Sequence, residues 1–158
     1  MPKTGQPKKT STEPVRVLVV DDDINMCQLT EIALTRSGYP ATICTDSARA
    51  MDLLKGSAYG CVLLDLRMKG IEGTELLPII KRNFPTLPVV LISAYCDRSN
   101  AGYYVSLGAF EIVTKPYTDD LLLDVVSRAV GAKDTIPMVL TSLCLDEARA
   151  RAAPPLSR

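Results

Sequence analysis

Five short apolar runs punctuate the chain, at residues 15–20, 41–44, 61–64, 88–92 and 111–114, several of them continuous and β-branched. Continuous rather than alternating apolarity marks strands buried on both faces, as in a parallel sheet. Between the runs lie stretches with helical spacing and recognisable ends. Residues 24–37 set Met26, Leu29, Ile32 and Ala33 on one face and stop at Gly38, which suits a left-handed cap. Residues 47–54 run towards Gly56 behind Asp46 or Ser47 as a cap. Residues 74–83 carry Leu76, Leu77, Ile79 and Ile80 on their apolar face, tolerate Pro78 near the start, and end before Pro85. Residues 98–106 end at Gly108, and 118–130 open on Thr118-Asp119-Asp120 and end at Gly131.

Strict alternation of five β and five α units predicts the α/β class, a doubly wound five-stranded parallel sheet with right-handed crossovers. Residues 1–13 form a Lys/Thr/Pro-rich tail too polar to pack, so the folded domain is expected over 14–131. Residues 132–158 read as a C-terminal linker or tail. They hold an apolar stretch at 136–145 and the composition of a short helix at 146–153, stopped by Pro154-Pro155. That segment is too short for an effector domain and lacks a recognition-helix pattern, so no direct nucleic-acid binding is expected.

Composition narrows the chemistry. The 18 basic and 18 acidic residues cancel, which removes the usual electrostatic signature of nucleic-acid or acidic-membrane partners. Histidine is absent, which excludes imidazole acid–base catalysis, the common Cys/His zinc sites and a phosphohistidine within this chain. The five cysteines stand far apart with no C-x-x-C pair, as expected of reduced thiols in a cytoplasmic protein. The N-terminus has no apolar segment behind its lysines, and no stretch approaches the roughly 20 apolar residues that cross a bilayer. No membrane association is expected.

In a doubly wound sheet, ligands bind outside the carboxyl ends of the strands. Here the first strand ends in Asp21-Asp22-Asp23, the third in Asp65, the fourth in Ser93 and the fifth in Lys115-Pro116. Asp65 alone is an ordinary strand-end carboxylate; joined to the others it becomes part of a site. Asp22 and Asp65 offer the hard oxygens that Mg²⁺ prefers. The same cation offsets the charge repulsion that a carboxylate meets when it attacks phosphorus, giving an acyl phosphate. Ser93 can donate to one phosphoryl oxygen and Lys115 can hold another. Asp23 is expected to cap the first helix and is assigned no chemistry.

The motifs VLVVDDD, LLDLRM, LISAY and VTKPY, in this order, resemble the receiver domain of bacterial two-component response regulators. The likeness covers about residues 15–131. It implies the flavodoxin-like strand order 2-1-3-4-5. It also implies Asp65 as the phosphoacceptor, Asp22 as a direct Mg²⁺ ligand, Asp21 as support through water, and the backbone carbonyl of Arg67 as a further ligand. Ser93 becomes the switch hydroxyl, Lys115 the phosphoryl partner, and Lys115-Pro116 a cis peptide. A sensor histidine kinase or phosphotransfer protein would donate the phosphoryl group, and a protein target would read the face of the fourth helix, fifth strand and fifth helix. Such a chain is not an enzyme beyond its own phosphorylation and dephosphorylation. Arg67 and Tyr95 flank the phosphoryl group in the family, and a bulky Tyr95 is expected to screen it from water. The segment IPMVLTSLCLDEARARA resembles a linker that precedes a DNA-binding region in longer members, so a stand-alone or truncated relative of a transcriptional regulator is expected.

Two positions depart from the family pattern. The loop after Asp65 reads DLRMKGIEG where the family usually reads D-x-x-M-P-x-x-D/S-G, so Lys69 replaces proline and a looser loop is expected. Ile112 stands where many receivers carry the Tyr or Phe that swings inward on activation; Tyr103, Tyr104 or Tyr117 are candidate substitutes. Two other readings compete. A phosphohydrolase of the haloacid dehalogenase type would place the covalent phosphate on Asp21, although Asn25 departs from its D-x-D-x-T/V motif. A receiver-like docking module would take no phosphate at all.

Overall fold

A computed structural model describes residues 13–94 and 100–132. The apolar runs become five strands, β1 (Val17–Val20), β2 (Ala41–Cys44), β3 (Cys61–Asp65), β4 (Val89–Ser93) and β5 (Glu111–Thr114). The helices are α1 (Ile24–Arg36), α2 (Ala50–Gly56, led in by a 3-10 turn over Ser47–Arg49), α3 (Gly73–Asn83), α4 (Ala101–Ser106) and α5 (Asp119–Gly131). All strand pairs are parallel, and the order across the sheet is β2-β1-β3-β4-β5. That is the doubly wound architecture expected, with the order the receiver resemblance implies.

Local chemistry sets the helix ends. Asp23 Oδ1 accepts from the backbone of Asn25 at 2.9 Å and Met26 at 3.3 Å, satisfying amides that α1 itself leaves unpaired. Asp46 caps the 3-10 turn through Ala48 N, and Thr118 caps α5 through Leu121 N. Gly38 takes φ +87° just past α1, a conformation that costs glycine little.

The two faces of the sheet carry separate apolar layers. Val17, Val19, Leu63, Val90 and Val113 pack under α1 and α5, whereas Leu18, Val20, Val62, Leu64 and Leu91 pack under α2, α3 and α4. β3 and β4 are buried along their whole length. Each fully buried Leu or Val contributes on the order of 1.5–3 kcal/mol, so the central strands form a rigid floor from which the rim residues project.

Two expected helix faces are corrected. Leu29 and Ile32 are exposed, at 63% and 47%, and the buried side of α1 carries Cys27, Thr30 and Leu34 beside the expected Ala33. The Asp23 cap and a bond from Cys27 Sγ to the Asp21 carbonyl turn Cys27 inward, and positions three and seven residues later follow it. Ile79 is exposed because the inward stripe of α3 runs through Gly73, Leu76, Leu77 and Ile80. Helix α4 is described over Ala101–Ser106. The expected tail at 1–12, Tyr95, the start of the fourth helix at 98–99, and the segments at 136–145 and 146–153 lie outside the described residues.

Candidate functional site at the carboxyl rim

Parallel register brings the strand ends to one level. Val20 pairs with Leu64, Asp65 with Ile92, and Ser93 with Thr114, so each polar residue leaves the sheet just beyond its neighbour. The loops there are stitched by backbone bonds, Asp21 N to Cys44 O, Leu66 N to Ile92 O, and Lys115 N to Ser93 O at 2.8 Å.

Lys115 is the centre of the site. Its Nζ donates to Asp21 Oδ2 at 2.9 Å and to Asp65 Oδ1 at 3.0 Å. Both carboxylates are nearly buried, and the lysine side chain keeps 20% of its exposure. Burial pushes the Asp65 carboxyl above its ordinary value, against the pull of the Lys115 bond, and the neighbouring Asp21 charge adds to the rise. Burial alone would lower the Lys115 ammonium, but its bonds to Asp21 and Asp65 outweigh that and raise it. The lysine therefore stays charged, and only part of the negative field of two carboxylates is offset.

The remaining carboxylate oxygens are held by backbone amides. Asp21 Oδ1 accepts from Asp23 N at 2.9 Å, Asp65 Oδ2 from Arg67 N at 3.2 Å, and Asp22 Oδ2 from Lys69 N at 2.9 Å. One oxygen each from Asp21, Asp22 and Asp65 lies within 4.8 Å of the others. Mg²⁺ prefers hard, anionic oxygen ligands, and the chemistry of this donor set fits that ion.

The structure thus brings Asp21, Asp22, Asp65 and Lys115 together. Ser93, 2% exposed, sits one residue past Asp65's register partner, and its carbonyl is bonded to the Lys115 amide. Arg67 lies in the loop directly after Asp65 with its side chain exposed. Asp23 is spent on the helix cap, as expected. The Lys115-Pro116 peptide is cis.

Other expectations shift. Ile112 is buried beneath the α2, α3 and α4 layer, with Tyr104 packed partly against the same cluster. Tyr103 is 56% exposed and its ring lies 5.7 Å from that of Tyr104. Tyr117 does not join the face of α4, β5 and α5; its hydroxyl lies 3.1 Å from Thr30 Oγ1 on α1. Three supporting groups were not legible. Ser47 Oγ accepts from Ile71 N at 3.0 Å, Thr30 meets Tyr117, and the Lys69 amide reaches Asp22. A polar residue on an apolar helical stripe is the signal that would have flagged Thr30; a backbone amide leaves none.

A family model described as the response regulator receiver domain matches residues 17–127. This chain belongs to the response regulator receiver family. It is accordingly a receiver domain of the two-component type. Among curated relatives, the transcriptional regulatory protein FixJ of Bradyrhizobium diazoefficiens is 32% identical over 114 residues, covering 72% of this chain and 56% of that protein. The DNA-binding transcriptional regulator NtrC of Proteus hauseri is 39% identical over 117 residues, covering 72% and 24%. The chain thus spans little more than half of the one relative and about a quarter of the other. The crystal structure of NtrX from Brucella abortus in complex with ADP matches with TM-score 0.72 and 30% identity over 92% of this chain and 36% of that one. The receiver domain protein from Methanospirillum hungatei matches in fold, with TM-score 0.73 and 23% identity over 77% of this chain and 98% of that one. Among the described residues no helix is long and apolar enough to cross a membrane.

Proposed function

We propose that this receiver takes a phosphoryl group onto Asp65 in the presence of Mg²⁺ and uses it to change the surface formed by α4, β5 and α5. The observation that carries this reading is the Lys115 ammonium bridging Asp21 and Asp65 beside a three-carboxylate cluster. A bound Mg²⁺ would be held by Asp21, Asp22, Asp65 and the Arg67 carbonyl, and would supply positive charge against the phosphoryl oxygens. An Asp65 oxygen forms the new bond to phosphorus as the bond from phosphorus to the donor atom breaks. Lys115 then follows the charge from carboxylate to phosphoryl oxygen, and Ser93 donates to another.

These 158 residues hold no histidine, so the donor lies outside them, in a sensor histidine kinase, a phosphotransfer protein or a small acyl phosphate. With Ile112 buried where an aromatic switch would stand, the signal runs through the backbone instead. Lys115 N is tied to Ser93 O, so drawing either side chain towards the phosphoryl group moves the ends of β4 and β5 as a pair. The folded unit is read as residues 14–131, and its chemistry as gaining and losing this phosphoryl group.

The test is incubation with Mg²⁺ and a small acyl phosphate, read by intact mass and peptide mapping. Wild type should gain one phosphoryl group, on Asp65, and Asp65→Asn none. Label on Asp21 would support the dehalogenase-type chemistry instead, and no label at saturating donor and Mg²⁺ would support a docking module.

A further inference from the structure

The loop from Leu66 to Glu72 is pinned at three points. Arg67 N donates to Asp65 Oδ2 at its start, Lys69 N to Asp22 Oδ2 in its middle, and Ile71 N to Ser47 Oγ near its end. Gly70 turns the chain with φ +90°, directly after the lysine. The middle bond is the unusual one. It crosses from the β3–α3 loop to the β1–α1 loop, joining residues 47 apart in sequence. Asp22 is exposed, unlike Asp21 and Asp65, so packing does not fix its side chain. A proline at position 69, as the family pattern has it, carries no N–H and could not make this bond.

We propose that the Lys69 backbone N–H is a positioning group for Asp22 in the divalent-cation site. A carboxylate is planar and rigid, so holding Oδ2 at 2.9 Å fixes where the second oxygen points. The bond also removes rotamer freedom that cation binding would otherwise have to remove. It locks the loop carrying the Arg67 carbonyl to the strand end carrying the β1 aspartates, so two halves of the ligand set move as one. The exchange of proline for lysine therefore replaces a stiff loop with a tethered one. The inference rests on the reading of Asp21, Asp22 and Asp65 as an Mg²⁺ site.

Calorimetric titration of full-length protein with Mg²⁺ alone tests it, comparing wild type with Lys69→Ala and Lys69→Pro. Lys69→Ala keeps the amide and removes the charged side chain; Lys69→Pro removes the amide. The expected result is a loss of about tenfold or more in Mg²⁺ affinity for Lys69→Pro, in the range typical of outer-shell partners, with Lys69→Ala as tight as wild type or tighter. Equal affinity in all three, or an equal loss in both variants, overturns the proposal. Absence of Mg²⁺ binding by wild type would instead overturn the metal-site reading beneath it. Because proline can also disturb the fold, hydrogen exchange at the Lys69 amide of wild type gives a second measure. That amide should be protected without Mg²⁺, stay protected with it, and lose protection in Asp22→Ala. Loss of protection on adding Mg²⁺ would mean that the amide competes with the cation, and the proposal would be wrong.

Discussion

Thr30 and Tyr117, 87 residues apart in sequence, meet hydroxyl to hydroxyl at 3.1 Å, one buried on α1 and the other just after the Lys115-Pro116 peptide. The contact ties the loop that aims Lys115 to the helix that follows the β1 aspartates. Burial pushes the Tyr117 phenol up, so it stays neutral and able to donate across the physiological range. Tyr117→Phe leaves the Thr30 hydroxyl without this partner and should cost about 1 kcal/mol in urea unfolding. Thr30→Val should cost about as much, and the double variant little more than either alone. Strictly additive losses would show that the two hydroxyls do not act together.

Lys115 holds two nearly buried carboxylates at 2.9 and 3.0 Å, so its removal leaves like charges side by side. Lys115→Met should destabilise the metal-free domain by about 2 kcal/mol, below the figure for a fully buried pair because the lysine retains some solvent contact. A divalent cation among the same carboxylates would supply the missing positive charge. Mg²⁺ should therefore raise the melting temperature of Lys115→Met by more than that of wild type. An equal rise in both proteins would separate the cation's position from the ammonium's.

Gly73 opens α3 directly under the end of β3, where Asp65 leaves the sheet. A Cβ there would lie 2.4 Å from the Asp65 carbonyl oxygen and 2.9 Å from Leu66 Cα, both backbone atoms that cannot swing aside. Gly73→Ala should cost about 1–3 kcal/mol, and should weaken phosphoryl acceptance by shifting Asp65. Gly56 makes the control, since a Cβ at that position meets nothing within 4 Å. Gly56→Ala should leave stability unchanged or raise it by about 0.5 kcal/mol. Chemical denaturation of the two variants side by side decides the matter.

What the sequence discloses and what it conceals divides along physical lines. Strands β2 and β5 fall on their expected runs residue for residue, and β3 and β4 come within one residue of theirs, because a central strand buried along its whole length must be apolar up to its rim residue. Asp21, Asp22, Asp65, Ser93 and Lys115 were legible because each ends such a run, and parallel strands carry their ends to one rim. The face of α1 was not. Ile24, Leu29 and Ile32 are as apolar as Cys27, Ala33 and Leu34, so periodicity alone does not choose between the sides; the Asp23 cap and the sheet do. The same limit hides the loop supports. Ser47 could have bonded anywhere, and the Lys69 amide is announced only by a proline that is not there.

Cys61 gives a pH dependence whose sign can be worked out. Its side chain is fully buried in β3 under the α1 and α5 layer, and burial pushes the thiol up to about 12 from an ordinary value of 9.0. Below that ordinary value the thiol is protonated in folded and unfolded chains alike, so it adds no slope. Above it the unfolded chain releases the proton while the folded one keeps it, which favours unfolding. The contribution of Cys61 should therefore fall by about 1.4 kcal/mol per pH unit between the two values. Urea unfolding of wild type and Cys61→Ala at about pH 8 and about pH 10.5 isolates it, since Cys27 and the lysines titrate in both proteins. Wild type should lead at the lower pH by the packing of one sulfur atom, and that lead should shrink or reverse by about 2 kcal/mol at the higher. A lead that does not change with pH would mean that the thiol ionises as easily in the fold as out of it, and that the floor beneath Asp65 admits water.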